Sequence, residues 1–190
     1  TAAGITGRTA AVFLLLLGGA SILAALFYTM GRHAYGYRGW GDLFAFFFFG
    51  PVPVIGTYYL HTGSIDTLSL LPAVGLGLIS SMILNVNNMR DIENDRASGK
   101  NTLAVMLGLK GAKRYHAVMT LVTFLCFLTF NLLFLPTNPL GYLYLLLFIK
   151  LFTIMSAVSR RKGSALDPYL KQTSMAGFFL SLAFVICINC

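Results

Sequence analysis

The chain has 190 residues, of which 57% are hydrophobic and 11% are charged, with a formal net charge of +8. Soluble domains usually carry about 25% charged residues. The composition therefore excludes a soluble protein and indicates an integral membrane protein.

Six apolar segments follow one another along the chain, each near the ~20 residues that a helix needs to cross a bilayer. They cover residues 10–30, 43–60, 68–86, 117–135, 141–159 and 175–190. None alternates polar and apolar residues with period two, which disfavours an outer-membrane barrel. Since helices satisfy their own backbone groups in lipid, the sequence predicts an all-α, multi-pass transmembrane bundle that forms one domain, or part of one, over residues 1–190.

The second segment contains a run of four phenylalanines, 46–49, followed by Gly50, Pro51 and Pro53. Each proline removes a backbone donor, so this helix is predicted to kink or break near its middle. The phenylalanines could line an apolar tunnel or contact lipid, and both interpretations stay open.

Basic residues concentrate in alternate connections between the segments. Twelve of the 14 lie in the connections 31–42, 87–116 and 160–174, whereas 61–67 and 136–140 carry none. The positive-inside rule makes the basic side cytoplasmic. Because the positive charge follows the membrane topology, we expect no nucleic-acid partner.

This distribution of basic residues makes the first helix enter the membrane from the non-cytoplasmic side. The chain also begins at Thr1, without methionine or a signal-peptide pattern. We therefore expect that an odd number of helices precedes Thr1, the alternative being a native protein with a processed end.

Three of the six acidic residues fall in the run 87–96, at the end of the third segment. If this run is helical, Asn87, Asp91 and Asp95 share one face, because i and i+4 positions are neighbours on a helix. Mg²⁺ prefers oxygen ligands and commonly bridges carboxylates to a substrate phosphate. The pattern predicts a metal site formed by these three residues. The alternative is a solvated helix end, with Asp91 and Asp95 paired to Arg96 and Lys100.

The turn after this run has its own local signals. Ser98 and Gly99 should end the polar helix, and Thr102 is a suitable N-cap for a short helix over 103–109. Lys100 lies on the turn, where it could bind a phosphate as a point charge. Lys150 is in the middle of the fifth segment and indicates a function in the membrane, a snorkelling side chain or a wrongly placed segment boundary.

The whole chain resembles the C-terminal two-thirds of the UbiA superfamily of intramembrane prenyltransferases. The stretch 87–105 is similar to the second aspartate-rich motif with its Gly-Lys-x-Thr-Leu extension. Within the superfamily, 37–43 resembles a Tyr-x-Gly-x-Gly-acidic loop and 48–59 the helix after it, which favours the branch that prenylates 1,4-dihydroxy-2-naphthoate.

The resemblance implies nine helices around a cytoplasmic-side cavity faced by two aspartate-rich motifs. Six helices and only the second motif are present here. It implies that Asp91 and Asp95 are catalytic and hold Mg²⁺ with Asn87, and that Lys100 and Arg90 bind diphosphate. On an ideal helix, however, Arg90 points about 100° away from Asp91. Further substrate-binding candidates are Asn88, Tyr37, Arg38, Phe49 and Tyr58.

The implied reaction is transfer of a polyprenyl group from polyprenyl diphosphate to 1,4-dihydroxy-2-naphthoate, with loss of CO₂ and diphosphate, giving demethylmenaquinone. The implied location is the bacterial cytoplasmic (inner) membrane, with 91–100 on the cytoplasmic side. The alternatives are another aromatic acceptor such as 4-hydroxybenzoate, a transporter fragment that uses Lys150 and the proline-broken helix, and a non-catalytic scaffold.

Overall fold

The computed structural model describes residues 7–29, 35–135 and 137–189; Met30 and Cys190, the predicted last residues of the first and sixth segments, lie outside these ranges. Within them the chain forms helices and no strand, which confirms the all-α prediction. The α-helices are α1 Gly7–Thr29, α2 Gly41–Phe49, α3 Pro51–Thr62, α4 Leu70–Arg90, α5 Ile92–Ala97, α6 Leu103–Phe134, α7 Phe148–Ser159 and α8 Asp167–Ile188. Short 3₁₀ helices occupy Tyr35–Arg38, Thr67–Ser69, Pro139–Leu147 and Gly163–Leu166.

Among the described residues, five helical stretches are long and apolar enough to cross a membrane. They are Gly41–Thr62, Thr67–Arg90, Leu103–Phe134, Pro139–Ser159 and Gly163–Ile188. The first predicted segment also forms a helix, α1, whose apolar part Leu15–Tyr28 is shorter. These stretches confirm the multi-pass membrane protein, although the last helix begins at Asp167, eight residues before its predicted start.

The predicted break in the second segment separates α2 from α3. It occurs at Gly50, with φ −127° and ψ −95°, and Pro51 begins α3. The short helix predicted over 103–109 is the N-terminal part of α6, with its break at Gly108 (φ 66°, ψ 165°). Thr102 caps it as predicted, its hydroxyl accepting a hydrogen bond from the Val105 N–H at 3.3 Å.

Helix α4 lies at the centre of the bundle and packs against α2, α3, α6 and α8. Small residues allow these close approaches, as is common where helices pack in membranes. A Cβ added at Gly75 would lie 2.6 Å from the ring of Phe127, and one at Gly77 would lie 2.5 Å from the carbonyl oxygen of Phe46. The apolar core continues between α6, α7 and α8 as a set of rings in edge contact, including Phe127, Tyr144 and Phe184.

Buried hydrogen bonds tie α6 to the segment before α7. The Tyr144 hydroxyl donates to Asn131 Oδ1 at 2.8 Å, and Asn131 Nδ2 donates to the Gly141 carbonyl at 2.8 Å. We expect Tyr144→Phe to lower the free energy of unfolding by about 0.6–1.7 kcal/mol, the range for hydrogen bonds between membrane helices. Reversible unfolding in mixed micelles measures this loss. Tyr142→Phe, in the same turn but partly exposed, is the control, and equal stability of the two variants would contradict the prediction.

Candidate active site

Asn87, Asp91 and Asp95 lie on successive turns where α4 passes into α5. Asp91 interrupts the regular helix, with φ −96° and ψ 10°. The backbone nevertheless keeps the helical hydrogen bonds, because the Asp91 N–H donates to the Asn87 carbonyl at 3.1 Å and the Asp95 N–H donates to the Asp91 carbonyl at 2.8 Å. The four-residue spacing therefore survives the change of helix.

Arg90 contacts three other polar side chains of the site. Its Nε and Nη2 donate to the two carboxylate oxygens of Asp91 at 2.8 and 2.7 Å. Nη2 also donates to Asn87 Oδ1 at 2.9 Å, and Nη1 donates to Asp167 Oδ1 at 3.2 Å. The expectation that Arg90 points away from Asp91 is therefore wrong. The Cα–Cβ bonds of Arg90 and Asp91 diverge on an ideal helix, but the arginine side chain is long enough to fold back onto its neighbour.

The pairing with Arg90 sets the charge of Asp91. The hydrogen bonds from the guanidinium hold the pKa of the Asp91 carboxyl below its usual range, with partial burial opposing them. Since an unperturbed aspartate has a pKa near 3.9, Asp91 stays ionised at neutral pH and remains able to bind a cation.

Asp95 is more deeply buried than Asp91 and is paired with the lysine of the following turn. Lys100 Nζ lies 3.3 Å from Asp95 Oδ1, and the Lys100 N–H donates to the Asp95 carbonyl at 2.8 Å. Asp95 Oδ2 is buried and, within the described part of the chain, has no hydrogen-bond partner. The alternative prediction paired Asp91 and Asp95 with Arg96 and Lys100. Of these contacts, Lys100–Asp95 is present, whereas Asp91 pairs with Arg90.

Lys100 also connects this turn to the loop before α2. Its ammonium group lies 5.9 Å from the centre of the Tyr37 ring, within range of a cation–π contact. The Asn101 N–H donates to the Tyr37 carbonyl at 2.9 Å. Gly99, with φ 73°, makes the turn that brings Lys100 back over α5.

A cavity of about 880 Å³, lined by residues of α1, α2, α3, α4 and α8, adjoins the site. Its wall is mostly apolar and includes Phe48 and Phe49, so two of the four phenylalanines line the predicted apolar space. The hydroxyls of Ser21 and Ser80, which also line it, donate to carbonyls of their own helices. Asn87 belongs both to this wall and to the row of site residues. A polar site and a mostly apolar cavity therefore meet at Asn87.

The other predicted substrate-binding residues are distributed around this site. Phe49 is in the cavity wall and Tyr37 contacts Lys100. Asn88 is buried on α4, Arg38 is exposed beside Tyr37, and Tyr58 is half-buried on α3. These last three are not among the residues that line the cavity, and their roles stay predictions.

The prediction did not include Asp167, which the structure brings to Arg90. Asp167 is the first residue of α8, 77 positions from Arg90. It is one of only six acidic residues, and it lies in a basic connection on the same predicted side as Asp91. The scarcity of acidic residues in the chain and the predicted side of this connection are the two sequence features from which Asp167 could have been found. Lys150, by contrast, is exposed and donates to Gln172 Oε1 at 2.9 Å, away from the cavity wall.

The oxygen atoms of this site suit Mg²⁺ only if a bound ligand completes the coordination of the metal. Among residues 7–29, 35–135 and 137–189, no group of three His, Cys, Asp or Glu side chains could hold a metal ion by itself. Mg²⁺, however, is usually held by one or two carboxylates plus substrate phosphates. The unpartnered Asp95 Oδ2 and the adjacent Asp91 carboxylate fit that arrangement, with Arg90 and Lys100 as the cations that pair with them here.

The chain is similar to known proteins over most of its length. Residues 2–185 match the UbiA prenyltransferase family. The 1,4-dihydroxy-2-naphthoate octaprenyltransferase of Escherichia coli is 40% identical over 173 residues, covering 90% of the chain and 56% of that protein. The enzyme of that name in Haemophilus influenzae is 44% identical over 172 residues, covering 88% and 54%.

A more distant relative is the UbiA prenyltransferase domain-containing protein 1 homolog of Drosophila melanogaster, 29% identical over 178 residues, with 93% of the chain and 47% of that protein covered. The chain spans about half the length of these relatives, and no solved structure matches it. With a family match over nearly its whole length, the chain belongs to the UbiA prenyltransferase family.

Proposed function

We propose that the protein transfers a polyprenyl group from polyprenyl diphosphate to 1,4-dihydroxy-2-naphthoate, releasing diphosphate and CO₂. The observation that carries the proposal is the position of Asn87, which joins the row of Asp91 and Asp95 to the apolar cavity. A substrate with a polyanionic head and a long apolar tail requires this adjacency. The names of the bacterial relatives favour the naphthoate acceptor.

The charged end of the site would bind the diphosphate. Asp91 and Asp95 would hold Mg²⁺, with Asn87 as a further oxygen ligand, and the bound metal would neutralise charge that develops on the departing diphosphate. Lys100 and Arg90 already lie within 3.3 Å of these carboxylates, so both can reach a diphosphate placed there. Such positioned cations stabilise the developing charge because the site is partly shielded from water.

The apolar cavity would hold the prenyl chain and protect the reacting carbon. The C–O bond breaks with its electron pair leaving on the diphosphate, and the resulting allylic cation must avoid water until the aromatic ring attacks. The new C–C bond forms on the ring, whose carboxylate leaves as CO₂. Phe44, Phe48 and Phe49 line the cavity and keep water from the tail.

The same proposal places the protein in the bacterial cytoplasmic membrane, with 91–100 on the cytoplasmic side. The alternating charge of the connections supports this orientation. The bacterial relatives support the type of membrane.

The test is Mg²⁺-dependent prenylation in membranes that contain the protein. Labelled polyprenyl diphosphate is supplied with 1,4-dihydroxy-2-naphthoate or 4-hydroxybenzoate, before and after chelation of divalent ions by EDTA. We expect a prenylated naphthoquinol product that disappears with EDTA and returns with added Mg²⁺. Product only from 4-hydroxybenzoate would reassign the acceptor, and substrate flux without any Mg²⁺ requirement would favour the transporter alternative.

Because the relatives are about twice as long, the assay compares two forms: the 190-residue chain, and the chain extended at its N-terminus by the corresponding part of the E. coli relative. Activity only in the extended form would mean that the added part, in which the resemblance places the first aspartate-rich motif, is required. Activity in both would mean that Asp91 and Asp95 suffice, and activity in neither would reject the proposed function.

A further inference from the structure

Arg90 is shared between two carboxylates that lie in different parts of the chain. Asp91 precedes α5, and Asp167 begins α8. The guanidinium uses Nε and Nη2 for Asp91 and Nη1 for Asp167. One cation thus connects the end of α4 with the start of α8 at the mouth of the candidate site.

This arrangement competes with binding of a metal ion. Both oxygens of Asp91, and Oδ1 of Asn87, accept hydrogen bonds from Arg90. A divalent cation that binds Asp91 and Asn87 through the lone pairs facing Arg90 displaces the guanidinium. Arginine cannot lose its charge in a protein, so a displaced Arg90 needs another anionic partner nearby.

Asp167 is placed to be that partner. Its carboxylate already contacts Nη1 at 3.2 Å, and its side chain is 55% exposed, which leaves room for a second contact. Pro168 follows it in the first turn of α8, and the fixed φ of proline makes this start of the helix rigid. Because the contact between Arg90 Nη1 and Asp167 is already formed, Arg90 keeps this partner when its hydrogen bonds to Asp91 are lost.

We propose that Asp167 is a positioning residue, which takes the guanidinium of Arg90 when a divalent cation binds Asp91 and keeps it beside the incoming diphosphate. The inference rests on the proposed function for the identity of the ligand. Without Asp167, the displaced guanidinium would lack a carboxylate partner, and the cation and diphosphate would bind more weakly.

The test measures binding rather than prenylation. Mn²⁺, whose free form is detected by electron paramagnetic resonance, is titrated into the purified protein in detergent with inorganic diphosphate. Asp167→Asn removes the charge with little change of shape, and Asp167→Glu restores it. Glu93→Gln is the matched control. Glu93 is an exposed acid in α5, two residues from Asp91, and its loss changes the net charge equally.

We expect Asp167→Asn to raise the Kd for Mn²⁺ with diphosphate about fivefold, the upper range for an exposed ion pair. Asp167→Glu should recover most of that loss, and Glu93→Gln should remain within about twofold of the wild type. An unchanged Kd in Asp167→Asn, an equal loss in Glu93→Gln, or no binding of Mn²⁺ and diphosphate by the wild type would overturn the proposal.

A second measurement separates positioning from a purely structural role. In the prenylation assay, Asp167→Asn should raise the KM for polyprenyl diphosphate and leave kcat within about twofold, because Arg90 remains present. A fall in kcat with unchanged KM would overturn the proposal. The binding assay contains neither prenyl chain nor acceptor, so a failure of the proposed acceptor would leave its result intact.

Discussion

Replacing either Asp91 or Asp95 by alanine is expected to lower prenyl transfer by at least about 10²–10³-fold, the loss typical of removing one group that stabilises a developing charge. The two carboxylates are the only acidic groups on the Asn87 row, and each would contribute to holding the metal. Asp95 Oδ2 has no protein partner among the described residues, so the only side-chain contact that Asp95→Ala is seen to remove there is the ion pair of Oδ1 with Lys100. Turnover of labelled polyprenyl diphosphate by the extended form in membranes measures the effect.

The matched control for both aspartates is Glu93→Ala. Glu93 lies between them in sequence but is exposed on α5, so we expect its loss to leave turnover within about twofold of the wild type. Thermal unfolding in detergent shows whether the aspartate variants remain folded. Near-wild-type turnover in both folded aspartate variants would reject the assignment of this site.

Gly50→Ala is expected to destabilise the protein by about 1–3 kcal/mol, the usual cost of inserting a methyl group where packing leaves no space. A Cβ at Gly50 would lie 2.5 Å from the Ala73 carbonyl oxygen and 2.5 Å from the Gly77 Cα. Both are backbone atoms of α4, so no flexible side chain can move aside. The broken helix α2–α3 would have to separate from α4, which together with it lines the cavity.

The control is Gly56→Ala in α3, where an added Cβ meets no atom within 4 Å. Alanine is favoured over glycine inside a helix by about 0.5–1 kcal/mol, so this variant should be neutral or slightly more stable. Thermal unfolding in detergent compares the two directly. The same Tm for Gly50→Ala and Gly56→Ala would show that the contact between Gly50 and α4 is not tight.

Local rules predicted most of the helices correctly. The Gly50–Pro51–Pro53 sequence predicted the break between α2 and α3, and Thr102 was recognised as the N-cap of α6. These features depend on residues close in the chain. The predicted boundaries were less accurate, and α8 begins at Asp167 rather than at residue 175. Polar residues near a membrane surface can continue a helix, and a hydropathy pattern does not register them.

The candidate site was predicted only as far as its backbone spacing. The i+4 pattern of Asn87, Asp91 and Asp95 required no more than helical geometry, and the backbone hydrogen bonds confirm that spacing. The orientation of Arg90 was predicted wrongly, because a long side chain chooses its partner by charge and not by the direction of its Cα–Cβ bond. Asp167 was missed because its contact with Arg90 joins residues 77 positions apart.

By itself, the sequence determined the membrane class, the helical segments and the four-residue spacing of Asn87, Asp91 and Asp95, since each depends on composition or on short-range periodicity. The tertiary structure alone decided which side chains pair with these polar groups and what adjoins them. Arg90 reaches Asp167 only because α4 packs against α8, and Asn87 opens onto the apolar cavity only because the broken helix α2–α3 lies against α4.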